Sequence, residues 1–206
     1  MFVKIMRALL IGLVRLLVGA YAKWQVPPSK AQSIYFANHS SHLDTLAVWA
    51  ALPADIRKKT RPVAAKDYWG TGRIKQFFAL DILNAILIER KVKAGQHPLL
   101  PLFTALEQGD SLIIFPEGTR RTHAEPDEFK PGIYHLALAF PQVKLIPVYL
   151  DTLHRSFPKG TYLPVPLICT AHFGEPTKML ENEPKKDFLT RARHTLLTLI
   201  SRGNAS

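Results

Sequence analysis

Beyond residue 30, short apolar, β-prone runs alternate with stretches of helical periodicity. The apolar runs predict strands at Ser33–Ala37, Pro62–Ala65, Ala85–Ile88, Ser111–Phe115, Lys144–Leu150 and Leu167–Phe173. The helical pattern predicts helices over Leu43–Ala51, Gly72–Leu80, Pro98–Gln108, Pro131–Phe140 and Lys186–Ser201, with Gly109 placed to end the third. Strand–helix alternation of this kind predicts one α/β domain over 30–206, its sheet largely parallel or mixed and flanked by helices.

The most apolar stretch precedes that domain. Met1 to Trp24 is interrupted only by Lys4, Arg7, Arg15 and Lys23. At about 100° per residue the first three charges fall within an arc of roughly 80°. Phe2, Met6, Leu10, Leu13 and Leu17 lie largely away from it. The pattern predicts a membrane-associating helix within residues 1–26, lying in the interface with its basic stripe toward lipid phosphates. Pro27 and Pro28 would then separate it from the domain. A spanning helix fits less well, because Arg15 near its middle would cost roughly 2.5–3.5 kcal/mol. A cleaved leader ending near Ala20-Tyr21-Ala22 and a helix docked on the domain are the other readings.

Composition narrows the partners. The chain has 206 residues, enough for one sizeable core. Lys and Arg outnumber Asp and Glu by 27 to 16, a formal charge of +11 that favours an anionic partner. No nucleic-acid module is recognisable, so an anionic membrane surface or a phosphorylated substrate gains weight over nucleic acid. Cys169 is the only cysteine, which excludes an intrachain disulfide and fits a reducing compartment. The eight histidines show no spacing that suggests a metal, and no Gly-rich loop matches a nucleotide cradle.

The predicted strands deliver chemistry at their carboxyl ends. His39 follows the first, Lys66 the second, Glu89 and Arg90 the third, Glu117 and Arg120 the fourth. Ligands of open α/β sheets bind at that edge. His39 and Asp44 would not face each other on one continuous helix. They can meet if His39 lies in the turn, Ser40 or Ser41 caps the helix, and Asp44 opens it. Asp44 would then fix one ring nitrogen of His39 and leave the other as a general base. The competing reading makes Ser41-His42-Leu43-Asp44 a plain capping box, and His42 is a second candidate base. Pro116-Glu117-Gly118-Thr119 reads as a tight turn, and Arg120 is suited to bidentate contact with a phosphate. A solvated surface turn is the alternative there, as a solvated strand edge is for Lys66 and Arg90.

Taken together, Asn38-His39-Ser40-Ser41-His42-Leu43-Asp44 and Phe115-Pro116-Glu117-Gly118-Thr119-Arg120 resemble two signature blocks of the glycerolipid acyltransferases. The match is strongest to the bacterial 1-acyl-glycerol-3-phosphate acyltransferase family. Ile86-Leu87-Ile88-Glu89-Arg90 resembles a further block, as do Ile146-Pro147-Val148 and Phe129-Lys130-Pro131-Gly132. Two departures stand out: Asn84 where such sequences commonly have glycine, and Arg121 where a small residue is frequent. The resemblance implies an enzyme that moves a fatty acyl group from acyl-CoA or acyl carrier protein to a lysophospholipid, most simply 1-acyl-glycerol-3-phosphate, giving phosphatidate. It implies His39 and Asp44 as the catalytic pair. It implies Lys66, Arg90, Glu117, Gly118, Thr119 and Arg120 as acceptor-binding residues, no metal and no cofactor beyond the thioester co-substrate. It also implies a place on the cytoplasmic face of the inner membrane. Alternatives are another acceptor, such as a lyso-ornithine lipid or lysophosphatidylglycerol, and a non-catalytic protein that binds anionic lipid.

Overall fold

The computed structural model describes residues 2–41, 43–89, 97–121, 125–151 and 169–203. A helix α1 (Phe2–Val18) leads into strand β1 (Tyr21–Trp24). Next come β2 (Ser33–Ala37), α2 (Asp44–Ala51), a single turn α3 (Ala54–Arg57) and β3 (Thr60–Ala65). Two short helices, α4 (Lys66–Trp69) and α5 (Arg73–Phe77), run into a π-helical turn, Phe78–Ile82, and then β4 (Ile86–Ile88). The chain closes with α6 (Leu100–Glu107), β5 (Ser111–Ile114), α7 (Gly132–Ala139), β6 (Lys144–Leu150), β7 (Thr170–Phe173) and α8 (Lys185–Gly203).

The strands form one seven-stranded sheet in the order β1-β7-β6-β2-β5-β3-β4. Every neighbouring pair is parallel except β6 with β7, so the sheet is mixed, as the alternation predicts. Successive side chains on a strand point to opposite faces. On β2, Tyr35 and Ala37 enter a core with Val48 and Leu52. Ile34 and Phe36 enter the opposite core with Leu102, Leu136 and Phe188. Helices therefore cover both faces, which explains why the central strands read as continuous apolar runs.

The N-terminal segment departs from expectation in two ways. The helix ends at Val18, and Tyr21–Trp24 is an edge strand paired in parallel with β7. Trp24 stacks flat on Phe173, ring centroids 3.8 Å apart, which anchors that edge. The chain enters β1 through Gly19 and Ala20, both with positive φ. The second departure is the direction of the basic stripe. Arg7 donates from Nε to the Ile82 carbonyl at 2.7 Å and from Nη2 to that of Asp81 at 2.8 Å. Arg15 Nη2 donates to the Ala50 carbonyl at 3.1 Å. These carbonyls close helical turns, where acceptors lack a partner within the helix and cations are favoured. Arg7 and Arg15 thus face the protein, and the helix turns Phe2, Ile5, Leu9, Leu13 and Leu16 outward. No described helix is long and apolar enough to cross a membrane.

Asn84 has φ 54, a left-handed conformation that asparagine tolerates better than most residues. That is why it can stand in a glycine position.

Candidate active site

The parallel order β6-β2-β5-β3-β4 sets the carboxyl ends of these strands side by side. Beside them lies a cavity of about 670 Å3, within the range that holds small-molecule ligands. Its wall is mixed, with His39, Thr119, Arg120 and Lys130 among the polar groups and Leu102 and Leu136 among the apolar ones.

His39 leaves the end of β2 behind Asn38, which is itself fixed. The Asn38 side-chain amide donates to the Leu150 carbonyl at 3.0 Å, and its oxygen accepts the Leu150 N–H at 2.7 Å. This side chain extends the pairing of β2 with β6 and holds the turn that presents His39. No motif reading assigned Asn38 that task, because a lone asparagine after a strand carries no pairing signal.

Asp44 meets His39 as the spacing suggests. His39 Nδ1 lies 2.9 Å from Asp44 Oδ2, and Asp44 is fully buried. The same oxygen accepts the N–H groups of Ser40 at 2.6 Å and Ser41 at 2.8 Å. Asp44 therefore meets the imidazole and also binds the loop backbone. Its carboxylate folds the loop and orients the ring at once. The expected serine cap is absent: the position before α2 is Leu43, with no side-chain cap bond, and Ser41 Oγ accepts from the Leu43 N–H. A carboxylate only accepts, so the shared proton sits on Nδ1 and leaves Nε2 as the basic atom. Phe115 stacks on the imidazole, centroids 4.3 Å apart. His42 lies outside the described residues.

The 115–121 turn splits its side chains between cavity and interior. Gly118 has φ 74, and a Cβ there would come within 3.3 Å of the Lys130 side chain, so glycine serves both the turn and the close approach. Gly118, Thr119 and Arg120 line the cavity. Arg120 Nη1 is buried without a hydrogen-bond acceptor among the described residues. A buried guanidinium nitrogen with no acceptor is the group an anionic oxygen would satisfy.

Glu117 does not join them. It is 1% exposed and absent from the cavity wall. Oε1 accepts the His39 N–H at 2.7 Å, and Oε2 accepts the Asp127 N–H at 2.9 Å. Burial pushes its carboxyl above the usual range, against the pull of the Asp127 N–H, the Arg121 charge and the His39 N–H. The expectation that Glu117 contacts the acceptor is corrected on this geometry: both oxygens are spent on the protein itself. A strand-end Glu before glycine reads as solvated, and only the returning 125–130 segment, with Lys130 N–H bonded to the Pro116 carbonyl at 2.7 Å, buries it.

Lys66 is also outside the cavity wall. It is exposed and pairs with Glu89 at 2.8 Å. Arg90 lies outside the described residues. Lys130 enters the cavity wall instead.

Known proteins resemble this chain in sequence and in fold. A family model described as Acyltransferase matches residues 21–151. A 1-acyl-sn-glycerol-3-phosphate acyltransferase of Limnanthes douglasii is 32% identical over 143 residues, 68% of this chain and 48% of that one. The corresponding alpha protein of Bos taurus is 27% identical over 177 residues, 84% of this chain and 59% of that one. The chain thus spans about half the length of the curated relatives it matches. The crystal structure of the 1-acyl-sn-glycerophosphate (LPA) acyltransferase PlsC from Thermotoga maritima shares the fold, with a TM-score of 0.73 at 17% identity over 97% of this chain and 82% of that one. A matched model that takes in β1 through the end of β6, with the His39–Asp44 pair and the cavity-lining turn inside it, establishes that this chain belongs to the acyltransferase family.

Proposed function

We propose that the protein transfers a fatty acyl group from an acyl thioester to the free hydroxyl of 1-acyl-glycerol-3-phosphate, forming phosphatidate. The observation that carries this reading is the 2.9 Å contact between His39 Nδ1 and Asp44, with His39 in the wall of a cavity that also contains Arg120. His39 Nε2 takes the hydroxyl proton as the acceptor oxygen attacks the thioester carbonyl carbon. The carbon–sulfur bond then breaks, and the imidazolium returns the proton to the departing thiolate. Asp44 keeps the ring in the correct tautomer and stabilises its charged form. His39 acts as a base, so no acyl-enzyme is formed.

Arg120 and Lys130 supply positive charge for the acceptor phosphate, and the apolar wall suits acyl chains. The donor is acyl-CoA or acyl carrier protein. The outward apolar face of α1 favours association with a bilayer, where acceptor and product reside, on the cytoplasmic face where thioester donors are found. The names of the matched relatives support lysophosphatidic acid as acceptor.

The test is acyl transfer from a labelled thioester to 1-acyl-glycerol-3-phosphate by wild type, His39→Ala and Arg120→Lys. His39→Ala should lose about two to four orders of magnitude in kcat. Arg120→Lys should raise KM for this acceptor about ten-fold while leaving lysophosphatidylglycerol, a phosphodiester, little changed. Equal activity of wild type and His39→Ala would reject the mechanism. Turnover confined to phosphodiester or ornithine acceptors would reject the substrate.

A further inference from the structure

A buried ion pair stands beside His39, and the acyl-transfer step makes no direct use of it. Arg121 Nε lies 3.1 Å from Glu117 Oε2, and their side chains are 2% and 0% exposed. The contact is electrostatic, since that N–H is not aligned as a hydrogen bond. Both residues grip the main chain of His39. Glu117 Oε1 accepts its N–H at 2.7 Å, and the Arg121 N–H donates to its carbonyl at 3.1 Å. One turn thus holds the backbone of the base from both sides. Glu117 Oε2 at the same time accepts the Asp127 N–H.

A carboxyl group accepts best on both oxygens when ionised; protonation makes one of them a donor and weakens it as an acceptor. Burial works against ionisation, and the Arg121 charge is among the groups that work for it.

We propose that Arg121 is a positioning residue whose guanidinium holds the Glu117 carboxylate, and through it the main chain of His39, in the geometry the base needs. The inference rests on His39 acting as the base of acyl transfer. Other charged or titratable groups face the pair among the described residues. His39, with Asp44 beyond it, lies on the β2 side. Asp127 lies on the following loop and pushes Glu117 toward protonation. Tyr149 comes from β6, its hydroxyl raised by burial and lowered by the Arg121 charge.

The experiment compares full-length wild type, Arg121→Ser and Arg121→Lys in detergent micelles. Two quantities are followed against pH: kcat, and the amide resonance of His39, whose proton bonds directly to Glu117. Arg121→Ser should lower kcat about ten-fold or more near neutral pH with little change in KM. Its acid limb and the His39 amide titration should move together to higher pH by about one unit or more. Arg121→Lys, which keeps a cation, should return most of both. A wild-type profile and amide titration in Arg121→Ser would overturn the proposal. Should Arg121→Ser not fold, the uncharged pair Glu117→Gln with Arg121→Met serves instead. That variant should lose the part of the His39 amide titration that follows Glu117 and show a reduced kcat, and wild-type kcat would overturn the proposal. If wild type transfers no acyl group at all, the acyl-transfer reading fails, while the amide titration still decides whether Arg121 governs Glu117.

Discussion

Phe115 lies against the imidazole of His39, ring centroids 4.3 Å apart and planes 25° from parallel. Asp44 fixes one ring nitrogen, but a single hydrogen bond leaves the ring able to rock about it. The aromatic face removes that freedom. Aromatic pairs contribute about 0.5–1.5 kcal/mol beyond burial. Phe115→Leu should therefore lower kcat about three- to ten-fold without moving KM for either substrate, as steady-state kinetics would show. A wild-type kcat would mean that the ring is held by other groups.

The double duty of Asp44 separates two substitutions that would otherwise look alike. His39→Ala removes a side chain that supports little else, so activity should fall while urea unfolding changes little. Asp44→Ala also strips the acceptor from the buried Ser40 and Ser41 N–H groups. Each unsatisfied donor costs about 1–3 kcal/mol. Asp44→Ala should thus lose activity and several kcal/mol of stability together. Equal unfolding midpoints for the two variants would contradict the loop-folding role.

At the far end of the chain, Arg191 donates to both oxygens of Glu183, each at 2.7 Å, and ties α8 to the turn before it. That hydrogen bonding holds the Glu183 carboxyl below the usual range. A carboxyl lowered by folding contributes stability above its unfolded pKa and loses it as pH falls through the folded one. Arg191→Met should therefore cost about 2 kcal/mol at neutral pH. The gap from wild type should narrow in acid, below the ordinary carboxylate range. Part of it should persist, because Arg191 also donates to Thr177 Oγ1 and the Lys178 carbonyl. Denaturant unfolding at pH 7 and at pH 3 would measure both; a pH-independent gap would exclude the ionic contribution.

The outward face of α1 can be tested without deleting the helix, a change that would weaken the adjoining edge β1. Leu9 and Leu16 are 69% and 82% exposed. Leu9→Glu with Leu16→Glu should reduce co-sedimentation with phosphatidylglycerol vesicles about ten-fold or more. Arg7→Met should instead lower the melting temperature and leave vesicle binding intact, since Arg7 serves the Asp81 and Ile82 carbonyls. Unchanged binding in the double variant would remove α1 as the membrane contact.

Much of this fold can be read from local pattern because its central strands are buried on both faces. The apolar runs alone delimit Ser33–Ala37 and Lys144–Leu150. β1 could not be, since Tyr-Ala-Lys-Trp is four residues long, mostly exposed, and becomes a strand only by pairing with β7. Helical periodicity fixes the arc of Lys4, Arg7 and Arg15 but not which side docks, which depends on distant carbonyls. At the site, the His39–Asp44 relation follows from spacing within one loop. The burial of Glu117 by Arg121 and Asp127 depends on how the following segment returns, and nothing local to Pro116-Glu117-Gly118 signals it.

The pairing of Tyr21 with Thr170 also orders events in time. Strands close in sequence can meet early, whereas contacts between distant segments form only after a large loop has closed. During synthesis β1 has no partner until the chain has been made past residue 173. Until then the strand that follows α1 has nowhere to pair, while the apolar side of α1 is outward before and after the sheet is complete. The edge held by Trp24 and Phe173 therefore closes only after both distant strands exist, although α1 can already rest on α2 and the Phe78–Ile82 turn through Arg15 and Arg7.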